Sequence, residues 1–219
     1  MQAAIELEAI PGIRLSGEII AENVSFEDFL TKFPSEQHLE WFNGYVITMP
    51  GIEERHDAFT RFLSILFSYF LELTGGGRVV QDPMIMRTRP DLPARAPDLQ
   101  VLLPASLDLL KHNYVAGAAD LVVEVISPES ERRDRVEKFA EYELAGVREY
   151  WIFDWRFEEA LFFQLDDQGK YHRAELDANG VYHSKVLDGL QLPVARLWEE
   201  NLPGVGEIVR IVQAMLAED

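Results

Sequence analysis

The order of apolar and polar positions in the first third of the chain predicts one hairpin and two helices. Two short alternating runs flank Asn43-Gly44, and an Asn-Gly pair tolerates the positive φ angles of a two-residue hairpin turn. From His56 to Leu73 the Phe and Leu residues recur every three or four positions, which predicts a long helix. Ser25, followed by Asp28, predicts the N-cap of a shorter helix over residues 26–33.

The rest of the chain alternates between short β-branched or aromatic runs and two further helical patterns. A helix is expected from about Glu131 to Ala145, ended by Gly146, and a last short helix near residues 207–216. Strands are expected at RVVQ, MIMRT, PDLQVLL, DLVVEVIS and REYWIFDW, followed by a hairpin of EALFFQL and KYHRAEL. Because helices and strands do not alternate regularly, the predicted fold class is α+β, with a central mixed β-sheet flanked by helices.

Domain boundaries are weakly marked, since no internal repeat, low-complexity tract or Ser/Gly linker divides the chain. Residues 1–24 are interpreted as an N-terminal leader in which Pro11-Gly12 interrupts any regular element. Residues 25–219 are interpreted as a single domain that ends in a hairpin and a short helix. The 47% apolar residues are sufficient for a packed core.

Cysteine content and hydropathy exclude several classes of protein. The chain has no cysteine, which excludes disulfides and thiolate metal sites. No apolar run approaches the roughly 20 residues that a membrane span requires, and the N-terminal segment lacks the basic start and apolar stretch of a secretory signal. A cytoplasmic protein without a membrane segment is therefore expected.

The formal net charge of −18 argues against non-specific binding of nucleic acid, because that binding depends on Lys and Arg contacts to phosphates. The charge is uneven, however. Residues 78–148 hold 10 basic and 12 acidic residues (10 − 12 = −2), and the remainder holds 10 basic and 26 acidic residues (10 − 26 = −16). The middle third is thus where a polyanion could approach, although chance clustering explains the same distribution equally well.

Glu124 is the most informative position in the sequence. It lies inside LVVEVI, a run typical of a buried central strand, in which Val122, Glu124 and Ile126 share one face. A buried carboxylate is strongly unfavourable unless it is protonated, paired or bound to a cation. Such a departure from the local apolar pattern is typical of a functional site.

Asp98 supplies a second carboxylate, directly after Pro97 at the start of another predicted strand. An aspartate beside proline is often only a turn residue, but the interval to Glu124 (124 − 98 = 26 residues) leaves room for two neighbouring strands. Two carboxylates at one sheet edge, without His or Cys ligands, suit a hard cation such as Mg²⁺ or Mn²⁺. Such an ion polarises a phosphoryl oxygen and lowers the pKa of an attacking water.

Lys138 falls on the helix predicted after the Glu124 strand. Asp134, Lys138 and Tyr142 recur at four-residue intervals and share one helix face. Spacing alone favours a surface Asp134–Lys138 pair that contributes a few tenths of a kcal/mol. An ammonium above two carboxylates would instead orient a nucleophilic water or stabilise charge that develops on the phosphoryl group.

These residues together resemble a known family. Pro97-Asp98, Glu124 in a strand followed by Ser127-Pro128, Lys138 on a helix, and EYWIFD are similar to the pattern of the Uma-two family of bacterial endonucleases. The likeness extends from about residue 26 to the segment GLQLPVARLW. Because that family is similar in fold to the PD-(D/E)XK nucleases, the resemblance implies a restriction-endonuclease-like core.

The resemblance also implies roles for individual residues. It carries Glu40, in the hairpin, over as a third acidic residue near the metal, while His56 matches a family histidine that is left outside the site. In the superfamily pattern the lysine stands two residues after the glutamate, where this chain has Ile126. The related family takes its lysine from the following helix, which favours a catalytic role for Lys138 over the surface pair.

The implied function is endonucleolytic cleavage of DNA through a metal-activated water, with Asp98, Glu124 and Glu40 on Mg²⁺ or Mn²⁺ and Lys138 beside them. Two rivals remain: a catalytically silent nuclease-fold protein that binds or regulates, because fold does not guarantee function, and a metal-dependent hydrolase of small nucleotides, which suits the −18 charge. A homodimer is expected as well, since the aromatic-rich strands EALFFQL and REYWIFDW could leave an apolar surface exposed.

Overall fold

The computed structural model of the protein describes residues 8–11, 13–14, 17–33, 38–48, 54–128 and 130–217. Part of the leader expected over residues 1–24 therefore lies outside the described residues. The strands are β1 (Glu8–Ile10), β2 (Ile13–Arg14), β3 (Glu18–Ala21), β4 (Leu39–Phe42), β5 (Tyr45–Thr48), β6 (Arg78–Gln81), β7 (Ile85–Met86), β8 (Leu99–Leu102), β9 (Tyr114–Val115), β10 (Leu121–Val125), β11 (Glu149–Asp154), β12 (Glu159–Leu165), β13 (Tyr171–Arg173), β14 (Val181–His183) and β15 (Gln191–Pro193). The helices are α1 (Phe26–Lys32), α2 (Glu54–Thr74), α3 (Phe139–Ala145) and α4 (Val205–Ala217), with 3-10 turns at Pro104–Leu109 and Val194–Trp198.

A six-stranded sheet forms the centre of the molecule, in the order β13-β12-β11-β10-β8-β6. Strands β10 and β11 are parallel, and the other neighbours are antiparallel. Parallel neighbours require a crossover connection, and here the helical segment that ends in α3 supplies it. The prediction of an α+β fold with a mixed central sheet is confirmed.

Alternation along β10 divides the core into two layers. Leu121, Val123 and Val125 pack into the cluster that includes the apolar face of α2 and residues of α4, whereas Val122 and Ile126 pack into a second cluster on the opposite face. Glu124 lies on this second face, as the period-two pattern predicts. The Glu124 carboxylate is thereby held at a position from which the surrounding β-branched residues exclude water.

The predicted Asn-Gly hairpin is present as β4 and β5, with positive φ angles of 47° at Asn43 and 88° at Gly44. Residues 18–21, which the sequence placed in the leader, add a third strand beside β5. An antiparallel bridge joins Trp41 to Ala94, with N–H···O distances of 3.1 and 2.7 Å. This bridge brings Glu40, next to Trp41, towards Arg95, next to Ala94.

The helix expected from about Glu131 to Ala145 has two parts. Arg133–Lys138 is π-helical and continues into α3, which ends at Gly146 with a φ of 86°. Hydrophobic periodicity cannot distinguish i→i+4 from i→i+5 hydrogen bonding, so the sequence does not predict the π-helical turn. Within the π-helical segment Arg133, Asp134, Glu137 and Lys138 are all buried. Single π-turns of this kind recur at functional sites.

The aromatic strands are covered by the chain's own elements. All six residues of β11 are buried, and Phe162 of β12 stacks on Tyr182 with ring centroids 3.8 Å apart. The homodimer was expected on the assumption that these strands are exposed. That assumption is wrong, and the homodimer stays a prediction. None of the helices in the described ranges is both long and apolar enough to cross a membrane.

Candidate active site

Asp98 and Glu124 meet at one edge of adjacent strands. The antiparallel register pairs Leu99 with Val123 and Val101 with Leu121, so the next position in that register sets Asp98 against Glu124. Side chains directly opposite in an antiparallel pair share a face, with Cβ atoms about 5 Å apart. The register supports the expectation that the two side chains share a face, with Asp98 directly before β8 and Glu124 within β10.

Asp98 is held by two donors on the same oxygen. Its Oδ2 accepts the backbone N–H of Val125 at 2.6 Å and lies 3.1 Å from Nε2 of His56, near the start of α2. Burial opposes ionisation of Asp98, but the hydrogen bond from His56 and the positive charges nearby hold the pKa of the carboxyl below its ordinary value. Burial opposes the charging of His56, but the hydrogen bond to Asp98 and the charges of Asp98, Asp134 and Asp82 together raise its pKa. Sequence reasoning left His56 outside the site, whereas the structure places it in direct contact.

Glu124 contacts Lys138 and Tyr142. The Lys138 Nζ lies 2.8 Å from Glu124 Oε1, and the Tyr142 hydroxyl donates to the same oxygen at 2.9 Å. The side chains of Glu124 and Lys138 are 2% and 4% exposed. The prediction that Lys138 faces the carboxylates is confirmed, and the alternative of a solvent-exposed pair with Asp134 is wrong.

One ammonium serves several carboxylates in what we call the Glu124 cluster: Asp98, Glu124, Asp134 and Lys138. Lys138 Nζ also lies 3.2 Å from Asp134 Oδ1, although that oxygen accepts no hydrogen bond. Burial raises the pKa of Glu124 well above its ordinary value despite Lys138, and the charges of Asp134 and Asp98 raise it further. Burial would lower the pKa of Lys138, but the surrounding carboxylates raise it, so the ammonium stays charged.

Glu40 lies between this group and a second one, which we call the Arg95 cluster: Arg95, Glu40, Glu137 and Glu141. Arg95 donates to Glu40 Oε2 at 2.5 Å and to both oxygens of Glu141 at 2.7 Å, and its Nη2 lies 3.5 Å from Glu137 Oε2. The other oxygen of Glu40 lies 4.0 Å from Lys138 Nζ. Arg95 is only 1% exposed, so this guanidinium ties the hairpin to α3 and fixes the position of Glu40.

The donor set fits a hard divalent cation at two carboxylates but forms no three-residue cage. The hydrogen bonds described above are made by Asp98 Oδ2 and Glu124 Oε1, so each carboxylate has a second oxygen to offer to a cation. Within the described ranges, no three His, Cys, Asp or Glu side chains converge to hold an ion. Mg²⁺ characteristically binds one or two carboxylates and keeps several waters, so two carboxylate oxygens are sufficient.

Sequence reasoning missed Arg95, Glu137 and Glu141. The two glutamates stand four residues apart on the helix that carries Lys138, which is a usable signal for a shared face. Arg95 has no local signal, because it lies outside any strand and its partners are 46 and 55 residues away.

Comparison with known proteins agrees with the fold. No curated protein matches the chain. A solved structure from Anabaena variabilis ATCC 29413, titled "a putative nuclease belonging to DUF820", matches with a TM-score of 0.64 and 15% identity, over 80% of this chain and 97% of that one. At that identity the likeness shows the fold alone. A family model described as "Uma2: Putative restriction endonuclease" matches residues 25–195, which is more than half of the chain. The protein therefore belongs to the Uma2 family of restriction-endonuclease-like proteins.

Proposed function

We propose that the protein is an endonuclease that hydrolyses phosphodiester bonds of DNA with the help of Mg²⁺ or Mn²⁺. The observation that carries the proposal is the buried Lys138 ammonium, 2.8 Å from Glu124 Oε1, near an aspartate that directly precedes the neighbouring strand. A buried lysine amid carboxylates at the edge of a sheet contributes little to stability that apolar residues would not contribute equally. Its retention is better explained by chemistry.

Asp98 and Glu124 are the residues that would hold the cation. When bound, a divalent cation supplies Lewis acidity towards a phosphoryl oxygen and lowers the pKa of the attacking water. Glu40 acts from one side, because its Oε1 faces Lys138 while Arg95 holds Oε2. We assign Glu40 to the catalytic group. For Glu40 to act as a third metal ligand, its hydrogen bond with Arg95 would have to break.

Lys138 is proposed to stabilise negative charge that develops on the phosphoryl group and to orient the attacking water. Three carboxylates surround the ammonium at 2.8, 3.2 and 4.0 Å, which fixes its position before substrate arrives. A charge that is already oriented needs no reorganisation when the barrier is crossed. Tyr142, whose pKa burial raises well above its ordinary value, stays a neutral donor to Glu124.

A cleavage assay tests the proposal against its two rivals. Supercoiled plasmid, linear duplex DNA and short nucleotides are incubated with Mg²⁺, Mn²⁺ or EDTA, with Glu124→Gln as the inactive control. Metal-dependent cutting of DNA that the variant lacks supports an endonuclease. Hydrolysis of short nucleotides alone would favour the small-substrate hydrolase, and DNA binding without cleavage would favour the silent nuclease fold.

A further inference from the structure

Arg133 is a buried arginine without a partner. It begins the π-helical segment, directly before Asp134, and is 6% exposed. Its Nε is buried and has no hydrogen-bond acceptor, and no ion pair of its guanidinium is found in the parts of the chain that the structure describes. The neighbouring Arg132, although half exposed, pairs with Glu137 at 2.6 Å.

The lack of a partner is unexpected in this chain. An arginine is always charged, and burial of a charge without compensation is strongly unfavourable. Carboxylates are abundant nearby, yet they pair with Arg95 or Lys138. The positive charge of Arg133 nevertheless acts on this group of side chains, because it helps to lower the pKa of Glu40 and also lowers the pKa of Lys138. The Arg133 guanidinium is therefore held at the site with an Nε–H donor that binds no acceptor.

We propose that Arg133 binds a phosphate group of the substrate, next to the bond that is cut. The inference rests on the proposed function for the identity of that substrate, a nucleic-acid phosphodiester. A guanidinium presents a planar fork of N–H donors that matches two phosphate oxygens, and such paired bonds are strong where solvent is excluded. Arg133 and Lys138 are both buried at the two ends of the π-helical segment, and residues five apart lie one turn apart in such a helix. Arg133 then positions the phosphate, and Lys138 acts on it.

Arg133 could have a different role with the same burial, in which its charge stabilises ionised Glu40 from a distance. Arg133→Lys separates the two, since lysine keeps the charge and loses the fork. Arg133→Met removes both, and Arg173→Met, on the exposed end of β13, makes the same change in net charge away from the site. All three are compared with the wild type as full-length chains.

The test is a thermal melt with Mg²⁺ and inorganic phosphate, which cannot be cleaved, against chloride at equal ionic strength, followed by calorimetric titration. Phosphate should raise the melting temperature of the wild type and of Arg173→Met, but not of Arg133→Met. Affinity for phosphate should fall roughly tenfold to a hundredfold in Arg133→Met, the range for bonds to charged groups, and clearly in Arg133→Lys. An equal response in Arg133→Lys and the wild type, or no response in the wild type, overturns the inference.

Cleavage measured on the same samples separates this inference from the proposed function. If the wild type cuts no nucleic acid but phosphate binding still depends on Arg133, the reaction is wrong and the anion site stands. If the wild type cuts DNA and Arg133→Lys retains its kcat and KM, the nuclease stands and the role of Arg133 is wrong.

Discussion

The two buried charge clusters on either side of Glu40 have similar composition and different properties. Each combines three carboxylates with one cation, and all of these side chains are buried except that of Asp98, which is 15% exposed. In the Arg95 cluster a guanidinium reaches all three carboxylates. The pKa of Glu40 is lowered because Arg95, Lys138 and Arg133 together outweigh burial, whereas burial raises the pKa of Glu141 despite Arg95. In the Glu124 cluster the ammonium cannot satisfy its neighbours, and burial raises the pKa of Glu124 well above its ordinary value.

The difference teaches that buried charge alone does not mark a functional site. A guanidinium has five donors in a fixed fork, so it can close a cluster of carboxylates completely. An ammonium has three donors, and here Asp134 Oδ1 and His56 Nδ1 stay without hydrogen bonds. Unsatisfied polar atoms in a buried network are costly. We therefore assign the closed cluster to stability, except for Glu40, which also faces Lys138, and the open cluster to chemistry. Each prediction below tests that division.

The largest effect is expected from Arg95→Met, which removes the only cation that the Arg95 cluster contains. Breaking a buried ion pair on one side typically costs about 3–5 kcal/mol, because the partner charges stay buried. We expect the free energy of unfolding to fall by that amount in urea denaturation. Arg173→Met is the matched control, for which a change within about 0.5 kcal/mol is expected. A loss below about 1 kcal/mol in Arg95→Met would show that this cluster is not structural.

Glu124→Gln should abolish metal-dependent cleavage and leave the metal-free fold at least as stable at neutral pH. Because the pKa of Glu124 is raised in the folded state, the native protein binds more protons than the unfolded chain between the ordinary and the raised pKa. Stability of the wild type therefore falls as pH rises through this window, and the variant lacks that fall. Thermal melts in EDTA across pH 4.5–8 measure both curves. A loss of several degrees in the variant would instead make Glu124 a structural partner.

The contrast also sets the limits of sequence reasoning. Glu124 was predictable because it interrupts an apolar strand, and Asp98 because it begins a neighbouring one. Glu149 interrupts the aromatic strand β11 in the same way, yet its oxygens accept bonds from Trp151 Nε1 and Ser184 Oγ, both at 2.9 Å, and from the Lys185 N–H at 2.6 Å. A carboxylate in a buried strand thus belongs either to a functional site or to a structural network in which its oxygens are fully hydrogen-bonded. Only the three-dimensional contacts distinguish the two cases.

Elements with local signals were predicted better than those fixed by distant contacts. The hairpin, α2 and the Ser25 cap follow from turn chemistry, periodicity and capping, and the Ser25 side chain accepts the Asp28 N–H at 3.0 Å. The ion pairs of Arg95 join residues 46 and 55 positions apart, and the π-helical turn differs from an α-helix only in its hydrogen bonding. Periodicity detects neither. Lys138 lies between these cases, since spacing alone favoured the surface pair and the resemblance favoured the site.

Lys138→Met tests the open cluster directly. Removal of one oriented charge-stabilising group should reduce cleavage about a hundredfold or more, which corresponds to about 2.7 kcal/mol. Metal binding should weaken little or tighten, because a cation leaves the neighbourhood of the metal. Lys32→Met is a close control, as Lys32 pairs with Asp28 at the same four-residue spacing but is 68% exposed. Equal cleavage by the two variants in a single-turnover assay would remove Lys138 from the mechanism.

The smallest effect is expected from His56→Gln, which tests whether the hydrogen bond to Asp98 Oδ2 belongs to the open cluster. The pKa of His56 is raised above its ordinary value of 6.5 by Asp98, so its stabilising contribution is complete below the pKa of the unfolded chain. That contribution is lost as pH rises through the folded pKa. We expect the variant to lose about 1 kcal/mol near pH 6 and less near pH 9, measured by urea denaturation in EDTA. His172→Gln, whose histidine pairs with Asp166 but is 69% exposed, should show almost no loss at either pH. A loss in His56→Gln that is independent of pH would mean that His56 contributes packing rather than charge, and Asp98 would then owe its position to the Val125 N–H alone.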